Sequence, residues 1–269
     1  MIGTRVVCLT LLCLVIAISS ATAANKYQIK QDAQAVAVAQ AAFIAMGGPQ
    51  AVLGYRDSLA SGAATISTGG SLVSYPITMK SKGLRETRVE LQVAKGTNVR
   101  IVNQGQGAIL RPDGTVKLLY WNNTFYEHVN HVPMLSLFSE YGNGSVNVLY
   151  EGTAKILDQA EEIVEIDYVP NLDPAQGALF ASMSRTLYFV NQTTRLIDKI
   201  EGTPFVEGAN KDTFTEELYL SDYRSVNGMM IPFRQTLFID SQLDTDIKLD
   251  SVTFNVGLLD SDFALPKGN

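Results

Sequence analysis

Through most of this chain, hydrophobic and polar residues alternate with a period of two, the pattern of strands that turn one face to a core. Phe214 to Tyr223 sets Phe214, Leu218 and Leu220 against Thr215, Glu217 and Tyr219. Asn227-Gly228 follows, a hairpin signal because both positions tolerate positive φ, and Met230 to Ile239 returns as the next strand. From Asp246 to Val256, Ile247 and Leu249 oppose Asp246, Lys248 and Asp250, and Val252, Phe254 and Val256 come after them. The closing third thus reads as an antiparallel sheet with one wet and one apolar face. Earlier strands are expected over Tyr55 to Ser67, broken by Ser61-Gly62, and over Leu72 to Lys80, where Pro76 marks an edge or bulge. Glu86 to Ala94, Val99 to Asn103 and a hairpin around Pro112-Asp113-Gly114 continue the series. After Val146 to Ala154 and a strand through Val164, Ile166 and Tyr168, Pro170 to Ala181 reads as a loop. Thr186 to Val190 and Leu196 to Glu201 then flank the turn Asn191-Gln-Thr-Thr. Turns at intervals of about ten residues indicate an antiparallel meander.

Two segments break the period. Asp32 to Met46 reads as a helix: Asp32 is a cap, the body is alanine-rich, and Gly47-Gly48-Pro49 stops it. Ala33, Val36, Gln40, Phe43 and Met46 fall near one face with Val38, Ala41 and Ala45 beside it, and a second alanine-rich face suits close approach to a sheet. Trp121 to Tyr141 carries Phe125, Val129 and Val132, then Met134, Leu135, Leu137 and Phe138 beyond Pro133, which predicts two short helices at an angle. With the meander these give an α+β fold, and no linker or repeat divides residues 24–269, so one domain is expected.

Residues 1–23 read as a cleaved secretory leader: a basic start, the apolar run Val6 to Ile18, and an A-x-A pattern ending at Ala23. That run is too short for a membrane span, and no later apolar segment is long enough to provide one. Cys8 and Cys13 both lie in the leader, so the exported chain has no thiol for disulfides, thiolate metal sites or cysteine catalysis. A formal net charge of −6 gives no electrostatic footprint for nucleic acid.

Catalytic motifs are few. His128 and His131, the two histidines, are spaced to share a helix face beside Glu127, a weak metal pair without a third ligand. There is no G-x-S-x-G elbow and no glycine loop for a phosphate or dinucleotide. Glu161-Glu162, Glu216-Glu217 and Asp260 read as solvated strand positions, and Asn122, Asn143 and Asn191 open N-x-[ST] sequons. No catalytic residue and no cofactor are expected. Trp121, Phe125, Val129, Met134, Leu137 and Phe138 instead gather large apolar groups, either as a plug that fills a curved sheet or as the lining of a ligand cavity.

The order of these parts resembles the outer-membrane lipoprotein-sorting (LolA-like) superfamily. The shared features are the N-terminal helix ending Met46-Gly47-Gly48, the insertion with Pro133, the Thr186 to Glu201 hairpin, and the closing phrases Asp222-Tyr-Arg-Ser-Val-Asn-Gly-Met-Met-Ile-Pro-Phe-Arg and Asp260-Ser-Asp-Phe-Ala-Leu-Pro. The resemblance implies a strongly curved antiparallel sheet, an incomplete β-barrel, wrapped around the N-terminal helix and the kinked mid-chain segment. It implies a periplasmic protein that binds a lipid, an acyl chain or another hydrophobic ligand by burial. An envelope protein recognised by the sheet or its edges is the alternative partner, and a hydrolase with an unrecognised site is a third reading. The sorting carriers' lid-locking arginine has no counterpart here, so no functional residue is carried over.

Overall fold

A computed structural model describes residues 26–120, 123–124, 131–133, 135–137, 145–169, 173–204 and 212–266. Helix α1 (Ala33–Ala45) opens the fold, with the Asp32 carboxylate accepting from the Gln34 N–H at 2.8 Å as the sequence leads one to expect of a cap. Its buried stripe is Ala35, Val38, Ala39, Ala42 and Met46, largely the alanine-rich face expected against a sheet, with Val36 and Phe43 half-buried against the same core. The smaller side chains win because the helix lies directly on sheet backbone, where bulk would hold it off. Gly47 does not end helical structure: at φ 131° it turns the chain into a second helix, α2 (Gly48–Gly54). Pro49 stands in that helix's first turn, where a missing N–H costs nothing.

Thirteen strands follow: β1 (Asp57–Thr68), β2 (Ser71–Lys82), β3 (Glu86–Val93), β4 (Gly96–Asn103), β5 (Gln106–Leu110), β6 (Val116–Leu119), β7 (Val146–Ile156), β8 (Gln159–Tyr168), β9 (Thr186–Asn191), β10 (Ile197–Gly202), β11 (Glu216–Val226), β12 (Met229–Ile239) and β13 (Gln242–Phe254). They form one antiparallel sheet in the order β6-β5-β4-β3-β2-β1-β13-β12-β11-β10-β9-β8-β7. Two meanders therefore meet at a β1–β13 seam, and the sheet curls without closing, so β6 and β7 remain as edges. Residues 30–32 shield part of the β7 edge, with Val148 N–H donating to Lys30 O and Asp32 N–H to Val148 O. Pro76 sits where the β2–β3 pairing stops, at Ile77 opposite Leu91, so a proline in an interior strand still lacks a second neighbour.

Four bulges bend this sheet. The residue left over at each is acidic: Glu151 in β7, Asp198 in β10, Asp244 in β13 against β12, and Asp250 in β13 against β1. The last one explains why the apolar positions of β13 pass from Ile247 and Leu249 to Val252 and Phe254. Opposite it, Gly62 lies so close to β13 that a Cβ would stand 2.1 Å from Lys248 O.

Asp173-Pro174 opens helix α3 (Pro174–Ser184) inside the stretch read from sequence as a loop. The Asp173 carboxylate caps the N–H groups of Ala175 and Gln176, and Ser184 Oγ ties the far end to the backbone of Tyr168. The concave face of the sheet buries α1 together with Val132, Leu135 and Leu137, which join Ala60, Met79, Val148, Val164, Tyr188, Leu220 and Ile231 in one core. A 3-10 turn, Asp260–Phe263, lies on the opposite, convex face of β3 and β4.

Candidate functional site

Strand registers align a row of small residues across the concave floor: Ser58 opposite Ser81, Ser81 opposite Thr87, Thr87 opposite Val102, and Val102 opposite Gly107. The chain between β6 and β7 touches both ends of that row. Thr124 stands over Gly107, where a Cβ would come within 2.8 Å of its methyl, and it donates to Gly105 O at 2.7 Å. His131 stands over Ser58, with Nε2 2.8 Å from Ser58 Oγ. Small side chains along the floor thus leave room for a covering segment.

At the His131 end is a buried polar cluster. Tyr55 Oη lies 3.2 Å from Ser58 Oγ and 2.7 Å from Ser81 Oγ, and the two serine oxygens are 2.6 Å apart. These three contacts and the one to His131 need four hydrogens, while three hydroxyls supply three. Filling all four assigns the fourth to the imidazole, as Nε2–H donating to Ser58. Burial holds His131 down at about pKa 4, so the ring is neutral at pH 7. Serine and histidine at this distance match a nucleophile and base, but Ser58 is 0% and His131 2% exposed, so in this conformation no substrate reaches them.

Of the apolar candidates, Leu137 is 2% exposed and belongs to the core, and Pro133 and residues 135–137 are helical. Trp121, Phe125, Val129, Met134 and Phe138 lie outside the described residues, as do His128, most of the segment expected to kink at Pro133, and the leader. Among the described residues there is no group of three or more His, Cys, Asp or Glu that could hold a metal, and no single helix is long and apolar enough to cross a membrane.

Sequence reading missed the acids of β8. Glu161, expected on a solvated face, is 0% exposed, and Glu165 and Asp167 are buried beside it. Burial raises Glu161 to about 7 and Asp167 to about 6. Asn191 is also buried: its side-chain oxygen caps the N–H groups of Thr193 and Thr194, so this sequon serves the turn rather than a glycan.

No family model and no curated protein matches the chain in sequence. Solved structures do match in fold. A DUF1329 family protein from Desulfovibrio piger superposes with a TM-score of 0.56 at 14% identity, covering 86% of this chain and 97% of that one. A domain from Vibrio parahaemolyticus described as an outer membrane lipoprotein-sorting protein gives 0.57 at 12% identity, over 85% and 97%. A LolA superfamily protein from Nitrosomonas europaea gives 0.53 at 14%, over 86% and 97%. The fold is LolA-like. Superpositions at identities this low show the LolA-like architecture, the open curved sheet around helices, and the fold alone.

Proposed function

We propose that residues 24–269 act after export, in the periplasm, as a non-enzymatic carrier for a lipid, an acyl chain or another hydrophobic ligand. The observation that supports this most is the one-faced sheet, which turns a continuous apolar surface inward onto α1 and onto Val132, Leu135 and Leu137 instead of onto a second sheet. The LolA-like fold supports it too, since one structural neighbour is described as a lipoprotein-sorting domain. In this reading Trp121, Phe125, Val129, Met134 and Phe138, of the same stretch as the core residue Leu137, supply the surface that an acyl chain meets. Burial at ~25 cal/mol per Å² gives several kcal/mol for one long chain with no covalent step.

Delipidated protein is expected to take up a fluorescent fatty acid, and native mass spectrometry of protein from its own host is expected to show a co-purifying lipid mass. Folded protein that binds neither the fatty acid nor a total lipid extract overturns the reading. A second reading, a module that recognises an envelope protein, is favoured by β6, which has a sheet neighbour on one side only. Under that reading the same preparation is ligand-free and captures a partner, and charged substitutions along Val116–Leu119 abolish the capture.

A further inference from the structure

The convex face of β8 carries Glu161, Ile163, Glu165 and Asp167, while Val164 and Ile166 on its other face enter the concave core. Glu161 is paired directly across from Asn191 on β9, and Asp167 directly across from Asn147 on β7. Asn191 Nδ2 donates to Glu161 Oε1 at 3.4 Å and to Asp198 Oδ2 at 2.9 Å. Its carbonyl is fixed on the Thr193 and Thr194 N–H groups, so only amide hydrogens face the two acids. Such donors suit oxygens that already act as acceptors; a coordinating carbonyl would be needed to help hold a cation here. Glu161 Oε2 is sealed from solvent and receives no donor. A bare carboxylate oxygen is strongly disfavoured in that setting, and a proton on it would supply the missing bond.

We infer that Glu161 and Asp198 share one proton, which closes the corner between β8, β9 and β10, so that losing it loosens the strand that walls the concave core. The surrounding groups fit. Glu162 is paired with Arg195 of the β9–β10 turn. Tyr223 on β11 donates to Ile197 O at 2.5 Å and stays neutral, because burial raises it well above 10. Burial is the main cause of the rise of Glu161 to about 7, with the Asp198 charge second, and burial raises Asp198 as well. The other end of β8 repeats the arrangement: Asp167 Oδ1 is an orphan, Asn147 Nδ2 donates to Asp167 Oδ2 at 3.2 Å, and Glu165 beside it pairs with Arg185 at 2.6 Å. Asn147 also contacts Tyr27 and Lys30 of the strip that covers the β7 edge.

A carboxyl raised in the folded state stabilises most below its unfolded value. The Glu161 contribution is therefore complete below about 4.5, is lost as pH rises to about 7, and is level above that. Glu161→Gln puts an amide hydrogen where the proton would be. Relative to wild type, its folding constant is expected to improve by on the order of tenfold or more between pH 4.5 and 8, with β8–β10 amides better protected at pH 8 after correction for intrinsic exchange. Carboxyl-carbon NMR of the wild type needs no variant and should show one glutamate titrating near 7. A Glu161 signal in the ordinary carboxylate range, or a variant whose stability follows wild type in parallel across this window, overturns the inference. Fatty-acid uptake does not enter either readout, so failure here and failure of the carrier reading are separable.

Discussion

At the scale of single residues, two positions show how much a strand pattern hides. Gly62 was legible as a break in β1, but its reason is the backbone across the seam: the bulge at Asp250 brings Lys248 O to 2.1 Å from where a Cβ would stand. Gly62→Ala must push the seam apart, and a loss of about 3 kcal/mol, at the upper end for overpacking, is expected in chemical denaturation. His131 was legible as half of a weak metal pair, or as part of a polar helix face beside the break at Pro133. Its role is set by Ser58, which is 73 positions away in sequence, and local spacing cannot report such a contact. The sign of its pH effect follows from its depressed value. The unfolded ring binds a proton near 6.5 and the folded ring only near 4, so stability falls as pH drops through that window. His131→Asn keeps a donor for Ser58 without a basic nitrogen. Its stability is expected to lose this acid-side decline, which would appear as a difference from wild type in urea midpoints at pH 6.5 and 4.5.

Elements were the most legible level, because period and turn chemistry are local. The meander, the cap at Asp32 and the Asn227-Gly228 turn, with φ of 48° and 84°, all stand as the sequence pattern indicates. Helices α2 and α3 escaped because each carries in its first turn a proline that reads as a breaker, although Asp173-Pro174 is also a cap followed by a favoured first-turn residue. For α1 the pattern located the helix and its alanine-rich face, and close approach to the sheet sets Ala42 deeper than the larger Phe43, which packs half-buried against the core. The test belongs to the helix as a unit. Ala42→Leu on the buried stripe should cost about 1–3 kcal/mol by overpacking against the sheet. The same change at Ala37, which is exposed, should fall within about 0.5 kcal/mol of wild type, as measured by thermal and urea unfolding.

For the molecule as a whole, the sequence supplied the strands in order but not the seam, because β1 and β13 are joined by residues nearly 200 positions apart and no local signal pairs them. The structure shows what fastens that seam from outside. After β13 the chain turns back across the convex face. The Asp57 carboxylate accepts from the N–H groups of Val256, Gly257 and Leu258, Lys80 and Lys82 pair with Asp262 and Asp260, and Asn103 donates to Phe263 O. The lysines and aspartates are partly exposed surface pairs and contribute little each, so the anchor is Phe263, which is 0% exposed. Phe263→Ala should cost about 3–5 kcal/mol, the range for emptying a buried aromatic site. This strap lies opposite the concave core, since Lys80 and Lys82 alternate along β2 with Met79 and Ser81 on the inner face. Below its lowered midpoint the variant should therefore bind a fluorescent fatty acid as wild type does, whereas a loss of uptake in protein still folded by circular dichroism would place the ligand on the convex face instead.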